Sequence, residues 1–290
     1  MRAFADHNPI AVTVYFLCAA GVAMFCMDPV ILALSLTGAV VCHLALCGPG
    51  GKRAHLYSLM LFLVMWLINP LVSHNGQTVL LVLNHNPITL ESFLYGASAA
   101  AMVIAVLYWF RTLTSLMTSD KLLFLFGALS PRLALLLSMT LRYVPLFTQQ
   151  VRKVSQAQKA LGLYKEDNIL DSLRSRMRIF SVMVTWALEN GVITADSMTA
   201  RGYGVGPRSR FSIFRWFLGD TLLLLGSLLL TALTLAGLSG ASTAYYPVFS
   251  FPALSPLRLA GYIAYGITTI IPLIFQAKEA WKWHCLRSNI

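Results

Sequence analysis

Charged residues are scarce in this chain of 290 residues: Asp, Glu, Lys and Arg together make up 11% of it, while hydrophobic residues make up 57%. A soluble domain has no interior large enough to bury that share of apolar side chains. The mean hydropathy of +0.69 is typical of a protein whose surface is largely apolar. The composition therefore excludes an ordinary soluble protein and predicts an all-α, polytopic membrane protein.

Acidic residues are especially few. The chain has 11 Asp and Glu against 22 Lys and Arg, which gives a net charge of +11. Most of the cations lie between Arg111 and Arg215, mixed with apolar residues, and no basic-aromatic module of the nucleic-acid-binding type is found there. This pattern excludes nucleic acid as a partner and favours anionic membrane lipids and acidic protein surfaces.

Complete catalytic and nucleotide-binding motifs are also missing. Glu189 and Asp196 would share one face of a helix, where paired carboxylates can do acid-base chemistry, but no His-Glu-x-x-His motif or nucleophile elbow accompanies them. The glycine-rich loop at residues 48–53 differs from a phosphate-binding loop because Arg53 stands where serine or threonine is needed. The chain is therefore expected neither to be an enzyme nor to bind a nucleotide.

Cysteine gives little sign of disulfides or metal binding. The five cysteines are an odd number and lie mostly in apolar segments, where cysteine is typically a small buried hydrophobe. Cys42, His43 and Cys47 are close in sequence, but their spacing matches no zinc site and no further ligand group is evident. We expect this chain to bind no metal and no cofactor.

Long apolar runs dominate what is present. About six transmembrane segments are predicted, at residues 10–26, 30–47, 56–72, 94–110, 221–238 and 259–275. In the fourth segment, the run Gly96-Ala97-Ser98-Ala99-Ala100-Ala101 would let another membrane helix approach closely. The chain is thus predicted to consist of N-terminal transmembrane helices (1–110), a basic region with long helices (111–212) and C-terminal transmembrane helices (213–290).

The placement of the cations predicts the orientation in the membrane. With six spans, Arg2, Lys52, Arg53 and the basic region fall on one side, while the loops on the other side contain only Arg258. By the positive-inside rule, both termini and the basic region are expected to be cytoplasmic.

Two helices of the basic region are predicted to end in the same way. Ser130 and Pro131 form a helix start, and the pattern then runs without a glycine to Ala160-Leu161-Gly162. Such a helix would be on the order of 45 Å long, more than a bilayer core needs. A further helix is expected at residues 179–199, followed by Ala200-Arg201-Gly202, with the glycine in the left-handed conformation that closes a helix. A separate helix is expected to begin near Asp171.

Three blocks carry the most specific signal in the sequence: Leu141-Arg142-Tyr143-Val144-Pro145, Ala157-Gln158-Lys159-Ala160-Leu161-Gly162 and Ala195-Asp196-Ser197-Met198-Thr199-Ala200-Arg201-Gly202-Tyr203. Together they resemble the transmembrane T component of energy-coupling-factor (ECF) transporters, the family that includes the cobalt-transport permease. In that family, two coupling helices each end in an Ala-Arg-Gly motif that docks on one of two ABC-type ATPase subunits.

The resemblance implies that both helix ends contact ATPases. The residues expected to make or support these contacts are Ala200, Arg201, Gly202, Ala160, Leu161, Gly162, Lys159 and Asp196. The second end matches the family motif fully, whereas the first end has Leu161 in place of the arginine, with Lys159 nearby as an alternative cation. Asp196 is expected to orient the second end.

The resemblance also implies the partners and the cargo. The chain would transmit the motion of two ATPase subunits, which bind ATP and Mg²⁺, to a membrane-embedded substrate-binding S component. The transported substrate would be a vitamin, a vitamin precursor or a transition-metal ion, and the membrane would be that of a bacterial or archaeal cell.

Two other functions are weighed against this one. A self-contained permease or channel with a regulatory helical region would be expected to carry ionisable residues within its spans, but Glu91 and Asp220 lie only near span ends. A membrane enzyme would need the catalytic set that is missing.

Overall fold

A computed structural model describes residues 4–48, 52–73, 75–83, 86–162, 169–206, 214–239 and 243–287 of the chain. In chain order, the elements of this described part are the 3₁₀ turn η1 (Phe4–Asp6), α1 (Pro9–Phe25), α2 (Pro29–Cys47), α3 (Lys52–Val72), β1 (Val79–Leu83), β2 (Asn86–Thr89), α4 (Leu90–Leu116), α5 (Ser119–Leu129), α6 (Pro131–Ala160), α7 (Ile169–Ala200), α8 (Leu218–Leu238) and α9 (Pro256–Arg287).

Five helices of the described chain, α2, α3, α4, α8 and α9, are long and apolar enough to cross a membrane, and α1 is an apolar helix of 17 residues. A proline begins both α1 and α2, and the residue before it caps the helix. The side chains of Asn8 and Asp28 each accept a hydrogen bond of 3.1 Å, from the N–H groups of Ile10 and Val30. The protein is a largely helical, polytopic membrane protein, as its composition predicts.

The chain divides into two compact units. Unit 1 consists of Met1–Leu122 and Phe214–Ile290, and unit 2 is Leu123–Ile213. Unit 1 therefore holds the helices that can cross a membrane, while unit 2 holds α6, α7 and most of α5. The border between the units falls inside α5, downstream of α4, which continues to Leu116.

The core of unit 1 forms around α1, which contacts α2, α4, α8 and α9. Tyr15 and Trp109 are buried in this core. The Tyr15 hydroxyl donates a hydrogen bond of 2.5 Å to the Thr268 carbonyl of α9, and the Trp109 indole N–H donates one of 3.0 Å to the Ser35 hydroxyl of α2. Each large ring thus fills the core with its apolar part and fixes a neighbouring helix with its polar atom.

The helices α3 and α4 approach closely at a small residue. A methyl group placed on Gly96 of α4 would lie 2.8 Å from the Asn69 Cβ and 3.1 Å from the Trp66 carbonyl oxygen, both in α3. Any side chain at this position would therefore push the two helices apart. The prediction that the small-residue run of α4 allows close helix packing is confirmed at Gly96.

A β-hairpin, which the sequence analysis did not predict, lies between α3 and α4. β1 and β2 pair antiparallel, with Val79 opposite Thr89 and Leu81 opposite Ile88. The apolar run is too short for a membrane-spanning helix, and its two β-branched valines favour an extended strand that can pair with a second strand nearby.

Several helices extend beyond the predicted segments. α7 is one continuous helix of 32 residues, so the helix predicted to begin near Asp171 and the one predicted from residue 179 are parts of the same element. α3 begins at Lys52, before the predicted start at residue 56, and continues through Pro70 to the predicted end at Val72. Because Pro70 lies in the last turn, it removes one hydrogen bond without breaking the helix.

Unit 2 is built on the packing of α6 against α7. The Tyr143 hydroxyl lies 2.7 Å from the Thr194 hydroxyl, and the rings of Phe147 and Trp186 meet edge to face with centroids 5.3 Å apart. These contacts hold the two helices side by side. Between them lies an apolar groove of about 750 Å³, whose lining includes Phe147, Val151, Ile179 and Met183.

Candidate functional site

The candidate site consists of the two Ala-x-Gly ends: the first end (residues 160–162) closes α6 and the second end (residues 200–202) closes α7. At the first end, Gly162 has a φ of +68°, and its N–H donates a hydrogen bond of 3.1 Å to the Lys159 carbonyl. The Leu161 N–H donates one of 3.1 Å to the Ala157 carbonyl. The glycine therefore satisfies helix carbonyls while it reverses the chain.

The second end has the same construction with one further hydrogen bond. Gly202 has a φ of +79°, and its N–H donates to the Thr199 carbonyl at 2.9 Å. The Tyr203 N–H then donates to the Met198 carbonyl at 3.0 Å, which completes a Schellman motif. The predicted closure of each helix by a left-handed glycine is confirmed at both ends.

The side chains at both ends lie on the surface. At the second end, Ala200 and Arg201 are exposed, and at the first end Leu161 is 72% exposed. An exposed leucine of this kind offers an apolar contact, while an exposed arginine can form paired hydrogen bonds with a carboxylate. Lys159 is also exposed, one turn of backbone before Gly162. The two ends thus have the same backbone shape but present different chemistry.

Asp196 lies one turn before the second end, with its side chain exposed. Its carbonyl oxygen accepts a hydrogen bond of 2.8 Å from the Thr199 hydroxyl. Within the described residues, no ion pair joins Asp196 to Arg201. Any influence of the Asp196 carboxylate on the Arg201 side chain is therefore exerted without a direct contact between them.

The arrangement is suited to docking on another protein. Small residues flank Arg201 and Leu161, so a partner surface can come close to the backbone at each end. The helix C-terminus carries partial negative charge, which the guanidinium of Arg201 complements while it remains available to an acidic partner. The predicted site residues are brought together as two separate clusters, one at each helix end.

The contact between Tyr143 and Thr194 supports both ends, and sequence reasoning gave it no role. Thr194 also donates a hydrogen bond of 2.7 Å to the Asn190 carbonyl, which fixes its hydroxyl on the face toward Tyr143. The available signal was two polar residues on otherwise apolar helix faces, but the sequence could not reveal that they meet.

Unit 1 contains polar clusters around buried charged residues, and sequence reasoning also missed the contacts within them. Asp28, before α2, accepts hydrogen bonds from the Arg258 guanidinium and from the Tyr262 hydroxyl, both of α9. Glu91 of α4 accepts a hydrogen bond of 2.5 Å from the Thr78 hydroxyl beside the hairpin. These hydrogen-bonding partners all belong to this chain. The first cluster therefore joins the start of α2 to α9, and the second joins α4 to the segment before β1.

Comparison with known proteins gives the family. A family model described as CbiQ, cobalt transport protein, matches residues 6–213. Energy-coupling factor transporter transmembrane protein EcfT 1 of Listeria monocytogenes serotype 1/2a is 33% identical over 102 residues, which cover 34% of this chain and 38% of that protein. The protein EcfT of Listeria innocua serovar 6a is 30% identical over 171 residues, covering 54% of this chain and 64% of that protein.

A further relative, the protein EcfT of Streptococcus thermophilus, is 32% identical over 127 residues, covering 41% of this chain and 48% of that protein. The chain therefore spans less than two thirds of the length of these curated relatives. The family match, by contrast, runs from the start of α1 through α7 and includes both Ala-x-Gly ends. Because this match covers well over half of the sequence, the chain belongs to the CbiQ cobalt transport protein family.

Proposed function

We propose that this chain is the transmembrane coupling (T) subunit of an ECF-type ABC importer. The observation that carries the proposal is the pair of long helices α6 and α7, which brace each other and each end in an exposed, glycine-closed Ala-x-Gly motif. Family membership and the names of the relatives support it, since those relatives are transmembrane proteins of energy-coupling factor transporters.

Each Ala-x-Gly end docks on one of two ABC-type ATPase subunits. At the second end, Arg201 meets acidic residues in a groove of the ATPase, where a partly desolvated ion pair contributes more than an exposed one. At the first end, Leu161 makes an apolar contact in place of the charge, and Lys159 supplies a nearby cation. The two contacts therefore differ in chemistry, and the charged one depends on salt concentration.

The chain transmits motion and performs no chemistry itself. ATP and Mg²⁺ bind to the partner ATPases, whose closure moves α6 and α7. A membrane-embedded S component binds the substrate, which belongs to the vitamins, vitamin precursors or transition-metal ions. Both chain termini and unit 2 lie on the cytoplasmic side of a bacterial or archaeal membrane, because the cations concentrate there.

Asp196 orients the second end through its charge. Replacement by asparagine removes the charge but keeps the size of the side chain. An Asp196→Asn variant that assembles as poorly as a variant lacking the Arg201 side chain would support this role, and a complex of unchanged composition would exclude it.

The proposed function is tested by affinity purification from native membranes solubilised in detergent. The wild-type chain should copurify two ABC-type ATPases and a small membrane protein, and Arg201→Glu should lose or deplete an ATPase. Lys278→Glu is the control, because Lys278 is an exposed cation of α9, outside the two helices that carry the Ala-x-Gly ends. Recovery of the wild-type chain alone, intact and folded, would favour a self-contained permease.

A further inference from the structure

The segment that precedes α1 is firmly anchored in unit 1. Phe4 is fully buried, and its ring contacts those of Tyr15, Phe16 and Phe275 at centroid distances of 5.5, 6.0 and 6.0 Å. A short polar segment is thereby fixed to α1 and α9 by one large apolar side chain. Residues 4–8, called the N-terminal clasp below, then contact two other parts of unit 1.

The first contact is with Lys121 of α5. Its ammonium group donates hydrogen bonds of 2.7 Å to the Ala5 carbonyl and 3.0 Å to the Leu116 carbonyl. Burial lowers the pKa of Lys121, while the charge of Asp6 opposes that shift. Lys121 lies one residue before Leu122, where the chain leaves unit 1 for unit 2. The N-terminal clasp thus holds the departing chain.

The second contact is with Asp220 of α8, which is fully buried. One carboxylate oxygen accepts hydrogen bonds of 2.7 Å from the His7 imidazole and 3.1 Å from the Asn8 N–H. The other accepts one of 2.9 Å from the Phe217 N–H. The chain returns to unit 1 at Phe214, a few residues before these groups. The N-terminal clasp thus holds the returning chain as well.

These two contacts matter because the chain passes between the units only twice, at 122/123 and at 213/214. Any covalently transmitted force on α6 and α7 reaches unit 1 through those two connections. Both connections are held by the same five residues. The hydrogen bonds are charge-assisted, buried at Asp220 and partly buried at Lys121, so they resist displacement more than exposed contacts do.

We propose that residues 4–8, with Lys121 and Asp220, form a clasp that ties the departing and returning ends of unit 2 into one fixed support. The inference rests on the proposed coupling function, in which the movement of α6 and α7 must be passed to the membrane helices. Lys121, His7 and Asp220 are accordingly positioning residues for coupling, and none of them belongs to an Ala-x-Gly end.

If residues 4–8 couple the two connections, a substitution at one contact should change hydrogen exchange at the other contact. Two independent local contacts would not show this effect. Loosening one end should free the other end, although no bond there has been changed. In Lys121→Met, the Asn8 and Phe217 amides should exchange hydrogen roughly tenfold faster, the change expected when one partly buried, charge-assisted hydrogen bond is lost. Reciprocally, His7→Phe should speed exchange at the Leu122 amide, which donates to the Thr118 carbonyl at 3.0 Å.

The experiment is hydrogen-deuterium exchange on the complete complex purified from native membranes, with and without Mg·ATP. In the wild type, Mg·ATP should change exchange at Asn8 and Phe217. In Lys121→Met, exchange there should already be fast and should no longer respond to Mg·ATP, while the ATPases still copurify. Lys121→Arg, which keeps the donors, should restore the wild-type response, and the exposed Lys278→Met should behave as the wild type.

The outcomes separate the two proposals. If no ATPases copurify with the wild-type chain, the proposed function fails, and exchange without ATP still tests the link between Lys121 and Phe217. If Lys121→Met leaves the Asn8 and Phe217 amides unchanged, the clasp is refuted. If the Lys121→Met protein does not accumulate, hydrogen exchange at the Leu122 amide in His7→Phe tests the clasp instead. Unchanged exchange there would refute it.

Discussion

The Tyr143 hydroxyl of α6 lies 2.7 Å from the Thr194 hydroxyl of α7, and this contact joins the middle of α6 to the C-terminal part of α7. From this contact, α6 continues for about 17 residues and α7 for about 6 residues to their Ala-x-Gly ends. Each end therefore belongs to a helix that is held by its neighbour. A brace of this kind lets movement at one helix end reach the other helix.

Removing the brace should loosen unit 2 modestly. Tyr143→Phe and Thr194→Val each delete one hydroxyl and should each lower the free energy of unfolding by about 1 kcal/mol. The double variant should lose little more than either single one, because both remove the same hydrogen bond. Thermal unfolding of the purified chain measures this, with Tyr57→Phe on the exposed face of α3 as the control. Additive losses would show that the two hydroxyls act separately.

The close contact between α3 and α4 should be disrupted even by a methyl group at position 96. Gly96→Ala places a methyl group 2.8 Å from the Asn69 Cβ, so the helices must separate, and the expected cost is about 1–3 kcal/mol of stability. Gly21→Ala is the matched control, since a Cβ there meets no atom within 4 Å. Equal melting temperatures for the two variants would contradict the close packing.

The buried pair of Asp28 and Arg258 should show the cost of an unpaired charge. Arg258→Met leaves Asp28 buried without its cation, and the expected loss is about 3–5 kcal/mol. Combining Arg258→Met with Asp28→Asn should recover much of that loss, because no unpaired charge remains. Denaturation of the wild type and both variants in the same detergent measures this, and a double variant as unstable as Arg258→Met would contradict the account.

The helix ends could be predicted from the sequence because their signals are local. Pro131 and the glycines at 162 and 202 determine the conformation of their immediate neighbours, so the local sequence is enough to predict these helix ends. The resemblance to a known family then supplied what no local signal contains, namely the partner for each end.

The brace and the buried clusters could not be predicted in this way. Asp28 and Arg258 are 230 residues apart, and Tyr143 and Thr194 are 51 apart. Which polar residues meet depends on how the helices pack, and the spacing within one helix says nothing about its neighbour. The hairpin was missed for a similar reason, since β1 becomes a strand only when β2 pairs with it.

Replacing the leucine of the first end should preserve or improve assembly of the complex. Leu161→Arg restores the arginine of the family motif at an exposed position, so the complex should assemble as well as the wild type or more tightly. Copurified ATPase per chain and its loss with rising salt measure this. Complete loss of one ATPase would mean that the first end docks in a different manner.

The central claim is that both Ala-x-Gly ends touch ATPase subunits, and direct contact can be measured without knowing the transported substrate. A photo-crosslinking amino acid would be placed at position 161, 201 or 225 of the full chain in its native membrane. Irradiation should join positions 161 and 201 to ABC-type ATPases, while position 225, on the exposed face of the membrane-spanning helix α8, should give lipid adducts and no ATPase adduct. Adducts to lipid alone at 161 and 201, from chains that fold normally, would contradict the coupling function.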